Sequence, residues 1–197
     1  MEIRNEYNQL ITNLEVDEQY LAKHFVNKND IVLELGARFG AVSCTVNEIL
    51  INKTNQVVVE PDERVWDTLE RNKVFNNCKF NIVKGFISNK KMGLINLDSY
   101  QGYATSSVED NNSKIPSFTL DEIEDKYNLK FNVLIADCEG FLEKFFDENP
   151  HFYDNLRLII FEADCPEICN YDKIRKNLAD KGFRRAVGGF QNVWLKE

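Results

Sequence analysis

A chain of 197 residues with 43% hydrophobic side chains is long enough for one domain with a layered core. Its 24 basic residues are scattered among 32 acids, for a net charge of -8, so no basic stripe is available to neutralise phosphates and nucleic acid is excluded as an expected partner. No segment approaches the apolar length of a membrane span; five cysteines, an odd number with no leader ahead of them, point to reduced thiols in the cytoplasm.

In chain order, residues 1–29 read as a helical cap, with Leu10, Leu14, Leu21 and Phe25 spaced along one face. Short apolar runs then alternate with helical patterns: Ile31 to Leu35 as a strand, Val42, Val46, Ile49 and Leu50 on a helix, and Val57 to Val59 as a second strand. A helix from Asp62 to Val74 buries Val65, Trp66 and Leu69, and a third strand covers Phe80 to Val83. The polar stretch 88–117, containing Asn111-Asn112-Ser113, is expected to be a long, partly mobile insertion on the substrate side. Val133 to Ala136 and Leu158 to Phe161 supply two more strands, separated by a helix with Phe141, Leu142, Phe145 and Phe146. A last helix with Ile174 and Leu178 stops at Gly182, and Gly188-Gly189 joins two terminal antiparallel strands. The expected fold is therefore one α/β domain spanning 1–197: a mostly parallel seven-stranded sheet, helices on both faces and a C-terminal antiparallel hairpin. That is the layout of the Rossmann-like class I methyltransferases.

The most informative stretch is Glu34-Leu35-Gly36-Ala37-Arg38-Phe39-Gly40, a strand turning through glycines into a helix whose first N–H groups are expected to face a ligand. Arg38 stands where a dinucleotide fingerprint needs its second glycine, which disfavours NAD and FAD. S-adenosylmethionine carries no phosphate and presents an ammonium, a carboxylate, a sulfonium and a ribose. Glu34 is assigned to the cofactor's amino end and Glu60, ending the second strand before Pro61 at a first helical position, to the ribose hydroxyls. After the third strand, Gly85 allows close approach to the adenine, and Phe86 either covers that ring or belongs to the core.

Asp137 and Glu139 follow a buried strand, where carboxylates are costly unless bonded or used. Asp137 is placed to accept a hydroxyl proton, the alternative being a helix cap; Glu139 assists it or answers the helix dipole. With Glu162 on the same rim, a divalent cation on oxygen ligands is a further option that no spacing demands. Cys165 and Cys169 lack a second ligand pair for zinc.

Taken in order, these motifs resemble the FkbM family of methyltransferases over residues 30–197. Leu35 to Gly40 is similar to that family's first motif, Val59-Glu60-Pro61 to its second, and Gly102-Tyr103-Ala104-Thr105-Ser106-Ser107 to its small-residue segment. Thr119-Leu120-Asp121-Glu122-Ile123 is similar to the helix start that follows, and Asp137-Cys138-Glu139-Gly140 to the Asp-x-Glu-Gly motif. Two positions depart from the pattern: Arg38 replaces an asparagine, and Ile135 stands where a lysine is frequent. The resemblance implies O-methylation with S-adenosylmethionine, often on sugar hydroxyls in glycans or natural products. The rival expectations are a nucleotide or RNA-cap methyltransferase, a non-catalytic partner-binding module of the same fold and, third, a nicotinamide oxidoreductase.

Overall fold

The computed structural model describes residues 1–95 and 105–196. Seven strands form one sheet: β1 Val32–Leu35, β2 Gln56–Glu60, β3 Asn81–Lys84, β4 Val133–Ala136, β5 Leu158–Glu162, β6 Arg184–Val187 and β7 Gln191–Leu195. Their spatial order is β6-β7-β5-β4-β1-β2-β3. Neighbours from β5 through β3 run parallel, whereas β7 is antiparallel to both β5 and β6. Chain order reverses direction at β1, whose partners are β2 and β4, so a crevice opens beyond the C-terminal ends of those three strands.

Strand alternation divides the core. Val32 joins Val133, Ile135, Leu158 and Ile160 under α1 (Val16–Phe25) and α2 (Ala41–Ile49). Leu33 and Leu35 point the other way, into a larger cluster with α4 (Leu120–Tyr127), α5 (Leu142–Glu148), α6 (Phe152–Asn155) and α7 (Tyr171–Asp180). Between β2 and β3 lies α3 (Trp66–Phe75), which buries Leu69 against Val58 and Phe80 on the α2 side. Thr119 starts α4 with a capping box closed by Glu122, and Gly182 takes a left-handed φ of 86° after α7.

One expectation is corrected. The first thirty residues are not one helix: Ile3–Arg4 and Leu10–Ile11 pair as an antiparallel hairpin, and the helix starts only at Val16. Asparagines explain the difference, because Asn5 Oδ1 accepts the N–H groups of Tyr7 and Gln9, while Asn8 and Asn13 adopt positive φ. Within and beside the insertion, Met92–Ile95 pairs antiparallel with Ser106–Glu109, and Phe86–Ile87 pairs parallel with Ser117–Phe118. Gly102, Tyr103 and Ala104 of the small-residue segment lie outside the described residues.

The hairpin is held by one fully buried amide. Asn72 Nδ2 donates to the carbonyls of Arg4 and Phe39, and its Oδ1 accepts the Arg4 N–H. Asn72→Ala is therefore expected to cost about 1–3 kcal/mol, because the partner groups stay buried without bonds. Thermal unfolding and limited proteolysis within residues 1–14 check this; wild-type Tm and cleavage would refute it.

Candidate active site

A cavity of about 430 Å³ occupies the crevice, walled by the ends of β1, β2 and β4, the entry to α1 and the insertion. Its position follows from Gly36. A Cβ there would lie 1.6 Å from the Asp137 carbonyl oxygen, so only glycine lets β1 turn away directly beside the end of β4. Gly36 also needs its φ of 87°.

The ladder decides which acids reach the cavity. Leu35 pairs with Val59 on one side and Ala136 on the other, so Glu60 and Asp137 each stand one residue beyond the last β1 pair and overhang the sheet edge. Glu60 is held there by two backbone donors, Arg38 N–H at 2.6 Å and Asp62 N–H at 2.8 Å. Arg38, at a positive φ of 43°, aims that N–H at the carboxylate and lays its guanidinium over Phe39. Pro61 lines the wall but stands outside α3, which begins at Trp66. Phe86 satisfies both of its readings: it lines the cavity and packs 5.8 Å from the Phe141 ring.

Glu34 does not reach the cavity. It pairs inside the ladder with Val58 and Ile135, and alternation turns its side chain under α2. There its two oxygens accept Ser43 Oγ–H at 2.7 Å and Gln56 Nε2–H at 3.1 Å. The glycine turn also spends four of its amides inside the fold. The N–H groups of Gly36 and Ala37 bond the Val59 carbonyl, that of Gly40 bonds the Ala37 carbonyl, and that of Arg38 is taken by Glu60. Ala37 is 1% exposed and absent from the wall, and Gly40 serves as the left-handed start of α2 against Leu69. Gly85 is likewise a packing glycine, since a Cβ would meet the Pro116 carbonyl oxygen at 2.3 Å.

Asp137, Glu139 and Glu162 all line the cavity. Asp137 does not cap α5, whose first residue follows Phe141 without a side-chain cap. Glu139 takes the Cys165 Sγ–H at 3.6 Å, and Glu162 accepts Gln191 Nε2–H at 2.6 Å, an amide that also bonds Glu18. The option of a cation shared by Asp137, Glu139 and Glu162 is redrawn. Candidate ligand atoms of Asp137, Glu162 and Asp164 lie within 4.8 Å of one another, and Glu139 falls in a separate group with Asp164 and Cys165.

Sequence reasoning missed Glu15, Glu18 and Asp164. Glu15 and Glu18 reach the wall because α1 packs on α2, β5 and β7, with Leu21 and Ala22 against Val42, Val46, Ile160 and Val193, long-range contacts without sequence periodicity. Among the described residues, acids from the α1 entry, β2, β4 and β5 face one basic side chain in the wall, Arg38. Four of these carboxyls are pushed upward, first by burial: Glu60 to about 7 and Asp137 to about 7, the latter also by Asp164 and Glu139. Glu15 rises to about 8 beside Asp137, and Glu162 to about 10 through burial and its contact with Glu18.

No family model matches the chain, and no curated protein matches it by sequence. Solved structures do match. Precorrin-6y C5,15-methyltransferase from Geobacter metallireducens superposes with a TM-score of 0.60 at 15% identity, covering 98% of this chain and 93% of that one. An O-methyltransferase from Bacillus cereus in complex with SAH gives 0.56 at 14%, covering 94% and 83%. The ribosomal protein L11 methylase from Lactobacillus delbrueckii subsp. bulgaricus gives 0.54 at 12%, covering 91% and 78%. These likenesses define the fold, which is the α/β, Rossmann-like class I methyltransferase fold. All five cysteines are free, and among the described residues no helix is long and apolar enough to cross a membrane.

Raised carboxyls make the fold hold more protons than the unfolded chain between the ordinary value and the raised one. Their favourable contribution is complete below the ordinary carboxyl range and is lost as pH rises through the folded values. Glu34, raised to about 7 by burial against the opposing bonds of Ser43 and Gln56, isolates this effect away from the cavity. Glu34→Gln is expected to flatten the fall in Tm between about pH 5 and 7, a span worth on the order of 3 kcal/mol for such a shift. Calorimetry across that range checks it, and an unchanged slope would refute it.

Proposed function

We propose that this chain is an S-adenosylmethionine-dependent O-methyltransferase of the FkbM kind, acting on a hydroxyl of a sugar, glycan or small molecule. The observation that carries the reading is the acid-walled cavity at the switch point of a methyltransferase fold, with the Glu60 carboxylate overhanging β2. A phosphate-bearing ligand is a poor match, because four amides of the glycine turn are used internally and the walls are acidic. A nucleoside bearing positive charge fits both features, and about 430 Å³ lies within the range of small-molecule sites.

In this reading Glu60 holds the ribose, Pro61, Val65 and Phe86 flank the adenine, and Gly36 and Arg38 border the amino-acid end. S-adenosylmethionine supplies, when bound, an electrophilic methyl on sulfur. Asp137 receives the proton of the acceptor hydroxyl as the carbon–oxygen bond forms and the carbon–sulfur bond breaks. A carboxyl raised to about 7 is suited to that exchange near neutral pH. Glu139 supports Asp137 electrostatically from the same wall. Leu94, Thr105 and Ser107 of the insertion line the opposite side, which supports a polar acceptor entering there. The Asp-x-Glu-Gly sequence at Asp137 to Gly140 favours the FkbM reading and a sugar-like acceptor. The cytoplasm is the expected setting for its reduced thiols.

Asp137→Asn is expected to leave the dissociation constant for S-adenosylhomocysteine unchanged and to lower single-turnover rate by roughly a hundred- to ten-thousandfold. Wild-type rate rises with pH through about 7, because the base must be ionised. Glu60→Ala weakens that ligand by roughly 10–100-fold, as expected for losing a charge-assisted hydrogen bond. Calorimetry and mass-spectrometric detection of methyl transfer to a panel of sugars test these outcomes. Failure of wild type to bind the ligand would overturn the function.

A further inference from the structure

The acids of the cavity fall into two groups. Glu60 is bonded by the Arg38 and Asp62 N–H groups, whereas Glu15, Glu18, Asp137, Glu139, Glu162 and Asp164 gather around the ends of β4 and β5; Arg38 also acts on Asp137, and buried Glu34 lies within electrostatic reach of Glu15 and Glu60. Since β1 lies between β2 and β4, two strand spacings separate the groups, roughly 10 Å. That is enough to receive the two ends of one extended nucleoside. If the ribose lies against Glu60, the amino-acid end reaches the second group, and Glu34, turned beneath α2, does not serve it.

Within the second group most carboxylates are engaged. Glu18 and Glu162 share the Gln191 amide, Glu139 takes the Cys165 thiol, and Asp164 accepts from Tyr171 and from the Cys165 N–H. Asp137 faces the acceptor. Glu15 differs: it lines the cavity from the segment ahead of α1, with its carboxyl beside the Val42 N–H at the start of α2. It thereby occupies the helix N-terminus with the chain's own carboxyl, at the place where nucleotide-binding turns seat a phosphate.

We infer that Glu15, carried by the segment between the hairpin and α1, is the residue that recognises the α-ammonium of the cofactor and selects an amino-acid-bearing nucleoside over a phosphorylated one. This inference rests on the proposed cofactor reading. It gives the N-terminal segment a role that Glu34 was expected to fill. Burial and the neighbouring charge of Asp137 hold the Glu15 carboxyl at about 8 without a ligand, so contact with an ammonium drives out its proton.

The test compares S-adenosylhomocysteine with 5′-methylthioadenosine, which keeps the adenosine and thioether but lacks the ammonium and carboxylate. Glu15→Gln keeps an acceptor for the Val42 N–H while removing the charge. It is expected to weaken S-adenosylhomocysteine by roughly 10–100-fold and methylthioadenosine by no more than about twofold. Glu60→Ala weakens both. Calorimetry near pH 7.5 in buffers of different ionisation enthalpy adds a wild-type readout, in which proton release accompanies the first ligand and not the second. If wild type binds neither compound, the cofactor reading fails. If it binds both, and Glu15→Gln weakens them equally or not at all, or protons are released alike with both, the assignment of Glu15 alone is overturned.

Discussion

The crevice exists because β1 and β4 end side by side with nothing between them. At Gly36 the space a methyl group would take is filled by the Asp137 carbonyl oxygen, 1.6 Å from the missing Cβ. The chain can therefore leave β1 at a left-handed bend while β4 stays paired beside it, and the Asp137 N–H completes the contact by bonding the Leu35 carbonyl at 3.1 Å. Every later feature of the site depends on this closeness. It sets Asp137 and Glu60 as overhanging residues on either side of one strand, and it leaves the cavity between them.

Electrostatics supply the second constraint. Gathering carboxylates around a shielded cavity is unfavourable, because burial and like charge both oppose ionisation. The fold relieves some of this with fixed donors: two N–H groups on Glu60 and the Gln191 amide between Glu18 and Glu162. What remains is a site whose acids favour a cationic occupant over an anionic one. The buried group of Glu34, Ser43, Gln56 and Asn47 shows the contrasting solution, in which a carboxylate is fully bonded inside the layer and takes no part in the cavity.

The amino-acid sequence by itself determined the architecture. Apolar, β-branched runs at β1, β2, β4 and β5, bounded by turns, favour strands covered on both faces, and Gly188-Gly189 between two short strands favours a hairpin, so the seven strands of the central sheet and its terminal reversal were legible. Glu60 and Asp137 were legible for the same reason, since an acid ending a buried strand must leave the layer. Glu34 was not, because one residue of register decides whether a strand side chain faces the crevice or the neighbouring helix, and that register comes from pairing with β2 and β4. The N-terminal hairpin was hidden by leucines at helical spacing, which asparagine side-chain bonds to the backbone outweighed. Glu15 and Glu18 join the site only through the packing of α1 on α2, β5 and β7 and the Gln191 clamp, contacts between residues far apart in the chain. Local pattern determines which segments form layers; only the packed structure decides which of their charges share a cavity.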